Sequence, residues 1–445
     1  MSHHVEQTRT PVDLIGLPSK KALCDEFVGK RLSSLRTPAL VVDRAAFSNN
    51  CARMLRTAQG WGARFRSHLK THKTAEGTKL QLVTSAGQTH SVVVSTLMEA
   101  WQVLRSGLVA EGIINDILYG MPIAVNKIAD IAALSDELAK HNAVLRLHVD
   151  HPEQIEALEA FESQRPEPRR WSIFVKVDCG DKRAGIPAAS PDFEAFLTRV
   201  ISSPTVSIYG FYCHQGGSYA STSLEEASGF LSRELEAANT AAGLALAILA
   251  GSPGGTTSTS APFVLSVGST PTTHAATAET RLKLKQELNG VLELHAGNYP
   301  LLDLQQLNTS LITPDRIAQR VLATVVSYYP GRGANGEDEA LVDAGAIAMS
   351  KDQGPIDGFG EVIGKKWRLS RVSQEHGILT KTSTAFFQTE TDDADSESVR
   401  IGEQVQIVGQ HACLIFAGHP WVYVVDSSSG PADTVVDVWV NWKGW

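Results

Sequence analysis

The chain has 445 residues, with 40 basic and 48 acidic side chains and a formal charge of −8. Hydrophobic residues at 43% and charged residues at 20% describe an ordinary globular composition able to bury large cores. The acidic balance excludes nucleic acid as the main partner, and no apolar run approaches the ~18 residues of a membrane span. At roughly 150 residues per domain, two or three domains are expected. Met1–Gln7 lacks the basic-then-apolar order of a signal peptide. The five cysteines, odd in number and without a CxxC pair, form no disulfide framework, so a cytoplasmic protein is expected.

In chain order, Thr37–Val42 is a first strand candidate. Eight short Val/Ile/Leu-rich runs follow, bounded by Gly, Asp, Ser or Thr: Arg64–Lys70, Ser91–Ser95, Asp116–Gly120, Val144–Asp150, Ser172–Asp178, Val206–His214, Phe263–Gly268 and Val291–Ala296. Helical patterns separate them. Phe47, Cys51, Met54 and Leu55 share one helix face. Phe193, Phe196, Leu197, Val200 and Ile201 share another, behind Ser190 as cap and Pro191 in the first turn. This alternation predicts an α/β fold, a (β/α)8 TIM barrel over 37–305, with a doubly wound open sheet as the alternative. Gly251–Ala261 reads as a flexible insertion.

After residue 306 the texture becomes β-rich. Val321–Tyr329, Glu339–Met349, Trp367–Val372, Gln404–Val408, Val422–Val425 and Thr434–Trp442 are strand-like, with polar loops between them. A second, mainly antiparallel β-domain over 306–445 is expected, joined by part of 1–43.

Three stretches carry chemistry. Arg66–Thr74 reads RSHLKTHKT, placing Lys70 at the C-terminal end of the first barrel strand, where barrel active sites gather. A lysine there, flanked by His68 and His72, can form an imine with a carbonyl compound, and Lys73 competes for the role. A basic strand end in solvent is the plainer reading. In Ser266–Thr272, Gly268 admits close backbone approach, while Ser269 and Thr270 offer hydroxyls and N–H groups to a phosphate dianion. Such a string is more often an ordinary loop. His411-Ala412-Cys413 places an imidazole and a thiol at i and i+2, on one side of an extended segment, where they can share a metal.

RSHLKTHKT resembles the signature of the alanine-racemase-like, fold-type III pyridoxal-phosphate enzymes, the D-serine dehydratases and D-threonine aldolases, with Ser67 where proline is usual. Ser95–Ala100, Asp116–Pro122 (DILYGMP), Lys176–Gly185 (KVDCGDKRAG), Gly210–Tyr219 (GFYCHQGGSY), Glu293–Tyr299 (ELHAGNY) and Ser373–Leu379 extend the resemblance over most of the chain. It implies pyridoxal 5'-phosphate held as an aldimine by Lys70, with cofactor contacts from Tyr212, Tyr219, Gly268, Ser269 and Thr270. His214 is a pocket residue without an assigned task. It also implies Zn2+ at His411 and Cys413, since soft thiolate favours zinc over harder cations. The expected function is a zinc-dependent D-serine dehydratase, a lyase releasing pyruvate and ammonia from D-serine and possessing some reach to D-threonine. The alternatives are a D-threonine aldolase, a D-3-hydroxyaspartate dehydratase of the same fold, or a non-catalytic cofactor-binding protein. A homodimer is expected from the same resemblance.

Overall fold

The computed structural model describes residues 8–251, 261–277, 280–281, 287–383, 386–387 and 398–445. The insertion expected at Gly251–Ala261 therefore lies almost wholly outside the described residues.

All eight barrel strands form where the β-rich runs place them: Arg64–His68, Ser91–Val94, Asp116–Pro122, Val144–Val149, Trp171–Asp178, Val206–Tyr212, Val264–Val267 and Val291–Ala296. Each pairs in parallel with the next, and the eighth pairs in parallel with the first, so the sheet is a barrel and the open-sheet alternative falls. A two-residue strand, Ile186–Pro187, is appended to the fifth.

The helices between strands bury the faces their spacing predicts. In Pro191–Ser202, Phe193, Phe196, Leu197 and Val200 are buried, and the Ser190 hydroxyl caps the helix by accepting from the Phe193 N–H at 3.3 Å. Each such side chain contributes roughly 1.5–3 kcal/mol relative to exposure. The barrel interior is a separate, smaller cluster of Val93, Leu118, Phe174, Tyr212 and Val264. Beneath it, Arg66 is wholly buried and donates to Glu293 at 2.8 Å and Asp116 at 2.7 Å. Charges this deep persist only when paired.

The second sheet is antiparallel except at one position. Ala39–Asp43 runs antiparallel to Gln319–Tyr329 and parallel to Trp421–Val425, so the strand ahead of the barrel is built into the other sheet. The expected strand Glu339–Met349 is corrected: the strand ends at Val342 and a short helix, Ala346–Met349, follows. Gly345 makes the turn, where an added Cβ would come within 2.2 Å of the Ser373 carbonyl oxygen. Gly360–Val362 and Gly377–Lys381 are strands the sequence did not announce, both short and opened by glycine. Among the described residues no helix is long and apolar enough to cross a membrane.

Candidate active site

The first barrel strand ends at His68, and the chain turns over Lys70, Thr71 and His72. The two histidines flanking Lys70 part company here. His72 is wholly buried and committed to protein partners, bonded through Nε2 to Gln81 at 2.8 Å and through Nδ1 to Thr74 at 3.0 Å. His68 lies against the end of the neighbouring eighth strand, where a Cβ on Gly297 would touch its own Cβ at 3.3 Å. The two lysines also differ. Lys73, held at φ +50°, pairs with the buried Glu99 at 2.8 Å, and Glu99 also accepts from the Ser95 backbone N–H at 2.8 Å. Lys70 enters none of the ion pairs among the described residues. It lines a cavity of about 290 Å³ with Thr71, Lys73, Cys413 and Trp442.

Rings fill the upper barrel. Tyr212, at the end of the sixth strand, stacks on His295 with centroids 4.0 Å apart and planes 11° from parallel. His148 meets the Tyr212 ring edge-on at 4.5 Å, and Lys176 Nζ lies 4.4 Å from its centre. Burial pushes the Tyr212 phenol well up, so it stays protonated. His214 lies just past the strand, its Nδ1 bonded to the Gly268 carbonyl at 2.9 Å. Burial, then the charges of Lys176, Lys70 and Arg183, lower it to about 3. His295 Nε2 is buried without a partner among the described residues, a polar atom left over beside the ring cluster.

The loop expected from the sequence to hold a phosphate follows the seventh strand. Gly268 has φ +143°, and a Cβ there would come within 2.3 Å of the His295 carbonyl oxygen, so only glycine fits. Ser269 caps the short helix Thr270–His274, accepting from the Thr272 N–H, and its hydroxyl meets that of Ser218 at 2.7 Å. The Thr270 hydroxyl accepts from the Asn298 N–H at 3.1 Å, and the Thr270 N–H donates to the Tyr219 hydroxyl. The structure thus gathers Tyr219, Gly268, Ser269 and Thr270 in one loop cluster, with both loop hydroxyls already engaged by protein groups.

His411 and Cys413 sit at the same mouth. Cys413 Sγ is 3.2 Å from the Thr71 hydroxyl, and His411 Nδ1 is 2.5 Å from Asp352 Oδ2. The extended geometry expected for them is corrected. Only His411 is extended, as the cap residue, and Cys413 lies inside the helix Ala412–Gly418, where i and i+2 point apart. The two side chains still meet through a direct hydrogen bond. Burial opposes it, but Cys413, Asp303 and Asp352 raise His411 to about 10. Burial likewise opposes ionisation of Cys413, but His411, Lys70 and Thr71 hold it below the usual thiol range. Among the described residues no group of three or more His, Cys, Asp or Glu side chains could hold a metal ion. This overturns the expectation of Zn2+ at His411 and Cys413.

A model of the alanine racemase N-terminal domain matches residues 42–257, and one of a serine dehydratase domain matches residues 318–425. A D-serine dehydratase of Schizosaccharomyces pombe is 41% identical, with 96% of each chain covered. The chain belongs to the D-serine dehydratase family of alanine-racemase-like, fold-type III pyridoxal-phosphate lyases. Another family member, the D-threo-3-hydroxyaspartate dehydratase of Delftia sp., is 30% identical over 93% of this chain and 99% of its own. Its solved structure superposes with a TM-score of 0.75, covering 94% of this chain and all of that one. In the present chain the residues fit the cofactor: an unpaired lysine at the first strand's end, an orphan ring nitrogen on His295, and Gly268 opening the loop.

Asp352 and Trp442 were not singled out in the sequence and carry no local signal, whereas Thr71 and Glu99 lay inside Arg66–Thr74 and Ser95–Ala100 with no role assigned to them. His295 and Lys176 lay within the motifs Glu293–Tyr299 and Lys176–Gly185, and strand alternation with Glu293 and Phe174 would have turned them inward.

The buried imidazoles set an acid limit. Burial lowers His72 to about 4, and His214 and His274 to about 3. Their unfolded values lie near 6.5, so below about pH 6.5 the unfolded chain binds protons that the folded chain refuses. Stability is therefore full above that pH and falls as pH drops toward 4. Urea midpoints at pH 7.0, 5.5 and 4.5 should decline in that order; a flat series would contradict the neutral assignment.

Proposed function

We propose that the chain is a dehydratase of D-3-hydroxy amino acids, taking D-serine or D-threo-3-hydroxyaspartate, with Lys70 as its cofactor lysine. The observation that carries this reading is the split between the lysines: Lys73 is committed to Glu99, whereas Lys70 stands unpaired at the barrel mouth. The zinc-dependent D-serine dehydratase expected from sequence gives way to this broader reading, which includes the hydroxyaspartate alternative.

When bound, pyridoxal phosphate supplies the electron sink that acidifies the substrate Cα–H. The chain's residues do the rest. Lys70 Nζ takes the Cα proton. His68 and His214 are kept neutral by burial, so neither competes for the proton nor repels a cation at Lys70. Tyr212 and His295 would hold the ring, and Gly268, Ser269, Thr270 and Tyr219 would hold the phosphate. The rings around Tyr212 exclude water from the reacting end of the barrel. A homodimer, expected from the family resemblance, belongs to the same proposal, as does a barrel domain over 37–305 beside a β-domain over 306–445.

Products decide the substrate. Purified protein loaded with pyridoxal phosphate is given D-serine, D-threo-3-hydroxyaspartate and D-threonine in turn. Pyruvate and ammonia from the first, or oxaloacetate and ammonia from the second, support dehydration. Glycine with an aldehyde would establish an aldolase instead.

A further inference from the structure

Two thiols lie outside the machinery described above, at the rim shared by the fifth and sixth barrel strands. Those strands pair in parallel with Lys176 opposite Tyr212, so both chains leave the barrel side by side. The fifth turns immediately, at Cys179 and Gly180, where Gly180 has φ +106°. That turn folds Cys179 back over the end of the sixth strand. Its Sγ lies 3.7 Å from the His214 carbonyl, next in sequence to Cys213, and the Gln215 side chain donates to the Cys179 carbonyl at 3.3 Å. The two thiols are hydrogen-bonded to each other. Cys213 is wholly buried, and Cys179 is partly open to solvent.

We propose that Cys179 and Cys213 form a thiol–disulfide modification site, oxidised by low-molecular-weight disulfides and reversed by thiols. Nothing in the lyase reaction uses either residue.

The chemistry divides between them. The hydrogen bond from Cys213, against the cost of burial and with help from Lys176, holds Cys179 below the usual thiol range, while burial pushes Cys213 up. The more exposed, more acidic thiol is the one that attacks. Cys179 thiolate displaces one thiolate from the small disulfide, forming a mixed disulfide. Cys213 then gives up its proton and attacks the Cys179 sulfur, expelling the second thiolate. Two protein thiols lose two electrons, and one small disulfide becomes two thiols. The new bond ties together the strand ends that carry Lys176, Tyr212 and His214, so oxidation should slow turnover.

The test uses the cofactor-loaded protein and glutathione disulfide. Titration of the denatured product should show two of the five thiols lost. Peptide mapping without reductant should find one cross-link, Cys179 to Cys213, which dithiothreitol removes as activity returns. Cys213→Ser should stop at a mixed disulfide on Cys179, Cys179→Ser should resist oxidation, and Cys24→Ser should behave as the parent. Five surviving thiols, a cross-link elsewhere, or a lasting mixed disulfide in the parent would each overturn the proposal. Thiol counts and mapping need no turnover, so they stand apart from the lyase reading and from any folding defect in a variant.

Discussion

Lys70→Ala should lose at least about 10³-fold in kcat, because the side chain is asked both to hold the cofactor and to move the Cα proton. The competing lysine makes the experiment decisive. Lys73 is held by Glu99, which is 1% exposed and anchored in turn by Ser95. Lys73→Ala should therefore act on the stability of the turn, leaving Glu99 buried without its cation, and should keep the absorption band of the lysine-bound cofactor. Borohydride reduction followed by peptide mapping reads the attachment directly. The label is expected on Lys70; a label on Lys73, or a band that survives Lys70→Ala, would reverse the assignment. Exogenous methylamine should return part of the proton-transfer rate to Lys70→Ala, an effect that a purely structural lysine would not show.

Arg66→Ala should cost about 3–5 kcal/mol of stability, the largest single effect expected outside the active site. The guanidinium is wholly buried between Glu293 and Asp116, and its carbon lies 5.5 Å from the centre of the Phe174 ring. Burial works against its charge, but the two carboxylates outweigh that and hold the proton firmly. Truncation removes the cation and leaves two carboxylates behind, Asp116 at the edge of solvent and Glu293 enclosed in the barrel interior. Asp116 keeps Arg146 at 2.8 Å, so the larger penalty should fall on Glu293, whose other partner is the Ser266 hydroxyl. Adding Glu293→Gln to Arg66→Ala should therefore recover part of the loss. Urea unfolding at pH 7 measures both variants. A loss under about 1 kcal/mol for Arg66→Ala would mean that water enters the barrel from below.

Much of this molecule was legible in the sequence because its signals are local. Parallel strands buried on both faces are short apolar runs wherever they occur, and all eight formed within a few residues of their expected limits. Ser190, Pro191 and the apolar positions after them fix one helix from start to buried face. The family motifs are local too, and they brought Lys70, Tyr212, Tyr219 and the loop at Gly268 into view together. Local reading failed where glycine interrupts short strands, at Gly360 and Gly377, and where a turn cuts an apolar run, at Gly345.

Composition and charge determined from the outset that this is an acidic, globular, enzyme-sized chain, and periodicity determined eight parallel-type strands with helices between them and a second, β-rich part, leaving barrel against open sheet to the strand pairings. Tertiary structure alone decided three further points. Part of 1–43 was expected in the second sheet, but only the structure shows which strands Ala39–Asp43 pairs with, some 280 and 380 residues further along, because sheet partners are chosen by exposed edges rather than by proximity in the chain. Lys73 is paired with Glu99, a contact across 26 positions that no spacing rule contains. Cys413, close in sequence to a strand, enters a helix capped by His411 and comes to lie over Thr71, and among the described residues no set of metal ligands surrounds the pair. In each case the deciding interaction is a pairing of polar groups brought together by folding. A pattern of side chains along the chain records which faces are buried, but it does not record which buried charges meet.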